Sequence, residues 1–223
     1  MGEGTKLLSY PRQLMGAVLA AALVLLALGR PASAMMDTPA LEDALRAGGY
    51  VIFLRHAEAI DGSDLDLANM DNCATQRNLS ARGREDAKAV GRAFRNRAIP
   101  VGRILASPFC RTRHTAYFAF GADRVVNEYG LKSVCETTPA ETAERTQVLR
   151  RLLATAPAPE TNTLLVSHNC NIRTVSDETW HACARTPGMG DAVVFRPEGS
   201  SYALVGCLPL DVMGSWADMT ARR

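Results

Sequence analysis

Along the chain, short continuous apolar runs alternate with longer segments whose apolar positions recur every three or four residues. The runs at residues 50–54 (YVIFL) and 163–167 (TLLVS) predict strands buried on both faces. Shorter runs at 103–106 and 125–129 predict two further strands, and 192–195 with 202–207 predict a closing hairpin at the sheet edge. Between them lie the helical signals. Thr38-Pro39 reads as an N-cap followed by Pro at the first helical position, Leu41 and Leu45 sit four apart, and Gly48-Gly49 ends the helix. Ser80 caps a helix through Asn96 whose stripe is Ala87, Val90, Gly91 and Phe94. A shorter helix at 112–120 stops at Gly121, and the capping box Thr138-Pro139-Ala140-Glu141 opens one whose apolar face is Val148, Leu149, Leu152 and Leu153. Residues 57–76 break this alternation with a run of Asp, Asn, Gly and Ser, which predicts a long irregular excursion of the kind that often carries function.

Strands that alternate with helices imply an α/β fold: a three-layer sandwich with a mostly parallel central sheet and helices on both faces. Residues 35–223 contain no repeat and no interdomain linker, and are expected to form one domain. The first 34 residues read differently. Lys6 and Arg12 precede the apolar stretch 15–28, and Ala32-Ser33-Ala34 supplies a small-x-small cleavage pattern, so 1–34 is expected to be an export signal and Met35 the mature start. The apolar stretch is shorter than the roughly 20 residues a membrane span needs, so no stable membrane insertion is expected once the signal is removed.

Charge adds a constraint. The full chain carries a formal +2, but without Lys6, Arg12, Arg30 and Glu3 it has 22 basic and 22 acidic residues. A neutral mature chain argues against a broad electrostatic surface for nucleic acid, so any anion must be recognised by a local cluster of cations. The six cysteines are Cys73, Cys110, Cys135, Cys170, Cys183 and Cys207, an even set in a chain bound for a secreted or periplasmic, oxidising location. Disulfides are therefore expected, with 15 pairings open.

Three of the predicted strands end in matched polar groups. The first runs into Arg55-His56-Ala57-Glu58, the second into Ser107-Pro108-Phe109-Cys110-Arg111, and the central one into Ser167-His168-Asn169. Ligands of open α/β sheets bind outside the carboxyl ends of the strands, so the three tips can meet in one crevice. Two arginines and two histidines around a point suit a tetrahedral dianion, because guanidinium forks match its oxygens and a neutral imidazole among cations is free to act as a nucleophile.

These motifs resemble those of the histidine phosphatase superfamily, the phosphoglycerate-mutase-like fold, in its branch 1 form. Leu54-Arg55-His56-Ala57-Glu58 is similar to the family's Arg-His-Gly signature, with Ala57 where Gly is usual. Residues 107–116 are similar to its Ser-Pro-x-x-Arg-x-x-x-Thr-Ala segment, 165–169 to the strand leading to its second His, and Asn78-Leu79-Ser80-x-x-Gly83 to the start of its first large helix. The resemblance implies a phosphohydrolase acting on a small phosphorylated substrate. His56 would take the phosphoryl group, Arg55, Arg111 and His168 would bind its oxygens, and water would release it. Arg77, Glu58 and Asn169 are the candidate substrate contacts. No metal or other cofactor is expected, since Arg and His supply the positive charge.

The proton donor departs from the family pattern. Its Leu-x-Glu motif falls on Leu131-Lys132-Ser133, and Ser133 cannot replace a carboxylic acid. Glu136, three residues on, is the candidate donor, able to act only if the segment through Cys135 bends inward. With no well-placed acid in the motif, a strong preference for aryl phosphates, anhydrides or phosphoramidates over alkyl phosphates is expected, little changed by loss of Glu136. The alternative function is a phosphate-ligand-binding module without catalysis. A mutase is disfavoured because the segment after Glu58 lacks the Trp-Asn pattern that mutases carry. His168-x-Cys170 and His181-x-Cys183 mimic a metal-binding pair of pairs, but paired cysteines are the simpler expectation in an exported chain. His114 and Arg113 are expected to face outward or to cap locally, and Trp180 and Trp216 to serve core or edge packing.

Overall fold

The computed structural model describes residues 1–2, 35–176 and 178–218. The segment expected to be an export signal lies almost wholly outside the described residues. The described residues from 35 onward form one compact unit. Its order is α1 (Thr38–Ala47), β1 (Val51–Arg55), α2 (Ala81–Asn96), β2 (Val101–Ala106), α3 (Cys110–Phe120), β3 (Val125–Asn127), α4 (Pro139–Ala154), β4 (Asn162–Ser167), α5 (Asn169–Arg173), α6 (Ala182–Arg185), β5 (Ala192–Glu198), β6 (Ser201–Leu208) and α7 (Leu210–Asp218).

The six strands make one sheet in the order β3-β2-β4-β1-β5-β6. The first four strands are mutually parallel, and β5 and β6 close the sheet as an antiparallel hairpin. Side chains alternate across the sheet. Ile52 and Leu54 of β1, with Ile104 and Val166, pack on one face against Leu41 and Leu45 of α1, Val90 and Phe94 of α2, and Met213 and Trp216 of α7. Val51 and Phe53, with Leu105 and Leu165, pack on the other against Leu149 and Leu153 of α4 and Ile172 of α5. The layers match the expected sandwich. Among the described residues no helix is long and apolar enough to cross a membrane.

Local signals act as the sequence leads one to expect, with four corrections. The cap of α1 is Asp37, whose carboxylate accepts the N–H of Ala40, so Thr38 is already helical and Pro39 lies one position further in than expected. The third strand is three residues long, because Glu128 turns its carboxylate to the N–H of Gly130 and starts a 3₁₀ turn over Tyr129–Leu131. The closing helix α7, absent from the sequence reading, buries Met213, Trp216 and Ala217, a short stripe easily taken for an irregular tail. Arg113 does not face outward. It is buried and ties the excursion down, donating to Asp71 Oδ1 at 2.7 Å and to the carbonyl of Met70 at 2.9 Å.

Three disulfides use all six cysteines: Cys73–Cys110, Cys135–Cys170 and Cys183–Cys207. Cys170 and Cys183 are thereby removed from any metal-binding role. The first two bridges reach the ends of β2 and β4, where the candidate site lies. Glycine contributes there too. A Cβ on Gly83 would lie 2.0 Å from the carbonyl oxygen of Glu58, so only Gly lets the first turn of α2 approach the chain just after His56.

Candidate active site

β4 lies between β1 and β2 and runs parallel to both, so the three motif-bearing ends emerge side by side. The backbone locks them: His56 N–H donates to the Ser167 carbonyl at 3.0 Å, and Ser107 N–H to the Val166 carbonyl at 2.9 Å. Continuation of buried strands brings His56 and His168 into the interior, 6% and 2% exposed, with ring centroids 5.4 Å apart.

Each imidazole is held by one neighbour. His56 Nδ1 lies 2.8 Å from the carbonyl oxygen of its own successor, Ala57. A carbonyl can only accept, so Nδ1 carries the proton and the Nε2 lone pair is left free. Ala57 is fixed in turn, its N–H donating to Thr115 Oγ1 at 3.0 Å. His168 Nε2 lies 2.9 Å from Ser107 Oγ, and Phe109 packs edge-on against its ring at 4.9 Å. Burial above all pushes the His56 pKa down to about 3; the bond to Ala57 opposes this, and the charges of Arg111, Arg55 and Arg77 add to it. His168 is also held well below the ordinary value, first by burial and then by His56, Arg111 and Arg55. Both rings are neutral at physiological pH.

The cations that depress these histidines converge from three elements. Arg55 ends β1 and donates to the Pro187 carbonyl at 2.8 Å, while its Nε is buried without a partner among the described residues. Arg111 lies in the first turn of α3, 5% exposed, with its guanidinium 4.4 Å over the Phe109 ring and its Nε likewise buried and unpaired. Orphaned N–H groups of buried arginines are costly unless an anion completes them. Arg77, from the end of the excursion, donates through Nε to the Ile60 carbonyl at 3.0 Å.

A cavity of ≈ 340 Å³ opens beside Arg77, Phe109 and Arg111, while Arg55, His56 and His168 are not among the residues that line it. The excursion contributes Asp64 and Arg77 to its walls, the start of α3 contributes Phe109 and Arg111, and the segment after β3 contributes Lys132, Ser133 and Glu136. The Cys135–Cys170 bridge joins that last segment to the chain two residues past His168, and Glu136 lies exposed on the cavity wall. Of the expected substrate contacts, Glu58 and Asn169 are also not on the cavity wall. Glu58 accepts a hydrogen bond from Ser80 Oγ at 2.6 Å and so braces the α2 cap, while Asn169 opens α5 directly after His168. Asp64 was missed. It lies in a loop rich in Asp and Asn, where nothing in the sequence distinguishes one carboxylate from the next.

A search of the curated proteins finds no match. Solved structures of similar fold include a candidate phosphohistidine phosphatase, SixA, from Agrobacterium tumefaciens, at 19% identity and TM-score 0.51, covering 72% of this chain and 97% of that one. A point mutant of phosphoserine phosphatase from Entamoeba histolytica, bound to phosphoserine, has 15% identity and TM-score 0.52, covering 73% and 98%. The family model for the histidine phosphatase superfamily (branch 1) matches residues 51–132, the stretch that carries Arg55, His56, Arg77 and Arg111. With the sheet order and the converging strand ends, that match makes residues 51–132 of this chain similar to the histidine phosphatase superfamily, branch 1.

Proposed function

We propose that this protein is a phosphohydrolase that removes a phosphoryl group from a small phosphorylated substrate through a phosphohistidine on His56. The observation that carries this reading is the tautomer of His56, neutral with Nε2 free and with three arginines close enough to depress its pKa. Nε2 attacks phosphorus and the bond to the leaving oxygen breaks. Arg55, Arg111 and His168 bind the phosphoryl oxygens, whose charge they stabilise in flight, and Arg77 adds positive charge nearby. Water then attacks the P–N bond, phosphate leaves, and His56 is restored.

The leaving oxygen needs a proton. Of the three carboxylates on the cavity wall, Asp64 is paired with Arg111 and Glu141 with Arg145. Glu136 has no such partner among the described residues, and it is the candidate donor, returning as the base that accepts a proton from the attacking water. Positive charge from the arginines makes the reaction independent of metal. The three disulfides suit an oxidising, secreted or periplasmic location.

The test is hydrolysis of a panel of phosphate esters by the mature chain, with orthovanadate as inhibitor and a chelator as control. The expected result is turnover that vanadate blocks, chelation spares and His56→Ala abolishes. Undiminished turnover in His56→Ala would sink the mechanism, and phosphate binding without turnover on any ester would favour the binding-module alternative.

A further inference from the structure

Asp64 enters the site from the irregular excursion yet makes two connections to its cations. Its carboxylate accepts from Arg111 Nη1 through both oxygens, at 3.0 and 3.1 Å, and Oδ1 also accepts the backbone N–H of Arg77 at 2.8 Å. The pair is largely shielded, with side-chain exposures of 6% for Arg111 and 16% for Asp64. The way the guanidinium is shared decides what this contact does. Asp64 occupies Nη1 alone. Nε is buried with no partner, and Nη2 makes no hydrogen bond to the described residues. The Nε–Nη2 edge is one of the two forks by which a guanidinium grips a tetrahedral anion bidentately, and it is the edge left free.

We infer that Asp64 is a positioning residue: it grips Arg111 by Nη1 so that the Nε–Nη2 fork faces the phosphoryl group, and it anchors Arg77 to the same wall through the backbone. This rests on the proposed phosphoryl site and assigns to the excursion the orientation of two of its cations. The rival physical reading is that the carboxylate is an internal competitor, which substrate must displace from Arg111. The two readings differ in sign. An orienting carboxylate makes the anion bind better, whereas a competing one makes it bind worse.

Binding of inorganic phosphate to the mature, disulfide-bonded chain, measured by calorimetry, separates them without relying on turnover. Kinetics of an aryl phosphate give the KM and kcat alongside. Asp64→Asn should weaken phosphate binding about tenfold or more and raise KM with a fall in kcat, since it leaves a buried guanidinium without its partner. Asp64→Glu, which keeps the charge on a longer arm, should recover part of the loss. Asp71→Asn removes the neighbouring ion pair to Arg113, and so loosens the same loop without touching Arg111. It should leave phosphate binding within about twofold of wild type, and a loss equal to that of Asp64→Asn would reduce Asp64 to a loop anchor and overturn the inference. Tighter phosphate binding in Asp64→Asn would overturn it in favour of the competitor. Unchanged binding there, with wild type binding normally, would overturn it alone, whereas a wild-type protein that neither binds phosphate nor turns over would overturn the phosphoryl site and the inference together.

Discussion

At the scale of single residues, the account turns on proton positions. A histidine whose pKa is pushed down to about 3 keeps its nucleophilic lone pair far below neutral pH. The kcat/KM profile, corrected for substrate ionisation, should therefore show no acid limb near pH 6.5 and should fall only well below it. A limb centred near 6.5 would mean that His56 titrates as an exposed imidazole. Glu136 makes a second residue-level prediction. If it protonates the leaving oxygen, Glu136→Gln should slow hydrolysis of an alkyl phosphate by about 10²–10⁴-fold while barely affecting an aryl phosphate, whose leaving group departs unprotonated. Equal effects on both substrates would remove it from the proton-donor role. The positions of Arg55, His56, Arg111 and His168 were readable from the sequence because each ends or follows a buried strand or opens a helix within a motif. Asp64 was not readable, because its role comes from a contact 47 residues away in the chain. Arg113 misled for the same reason, since the carboxylate and carbonyl that bury it, Asp71 and Met70, belong to a loop whose path no local pattern encodes.

At the scale of elements, regular structure supplies the floor of the site, while chain without regular structure supplies much of its walls. The β1, β2 and β4 strands and the caps of α2 and α4 follow from apolar runs and from Ser80 and Thr138, which act over three or four residues. The short β3 and helix α7 were misjudged or missed, because a three-residue strand and a nine-residue helix leave little periodicity to read. The walls are pinned covalently. Cys73–Cys110 ties the excursion to the residue before Arg111, and Cys135–Cys170 ties the Glu136 segment to the chain just past His168. Replacing Cys135 and Cys170 together by Ser should cost about 4 kcal/mol of stability by loop-closure entropy. It should also raise KM, since the Lys132–Glu136 wall loses its tether. A double variant with unchanged melting temperature and KM would show that this wall is held by its noncovalent contacts alone.

At the scale of the whole molecule, catalytic readiness has a cost in acid. His56 is neutral in the folded protein down to about pH 3 but protonates near 6.5 when unfolded. As pH falls through that window the unfolded state binds a proton that the native state does not, so stability should decline from about 6.5 toward 3, with His168 adding to the decline in the same direction. Thermal unfolding of the wild type and of His56→Gln checks this, and the variant should show the shallower loss. Parallel slopes would mean that His56 is not the buried neutral group described. The same burial that sets this slope leaves Nε2 free, so the central claim can be read on one atom. The direct measurement is rapid acid-free quenching of the mature enzyme during turnover of a labelled phosphate ester, followed by mapping of the bound label. The account predicts an acid-labile, alkali-stable phosphoryl group on His56 that forms and decays at rates consistent with turnover and is absent from His56→Ala. Steady turnover with no phosphorylated His56, or with the label on any other residue, would contradict it.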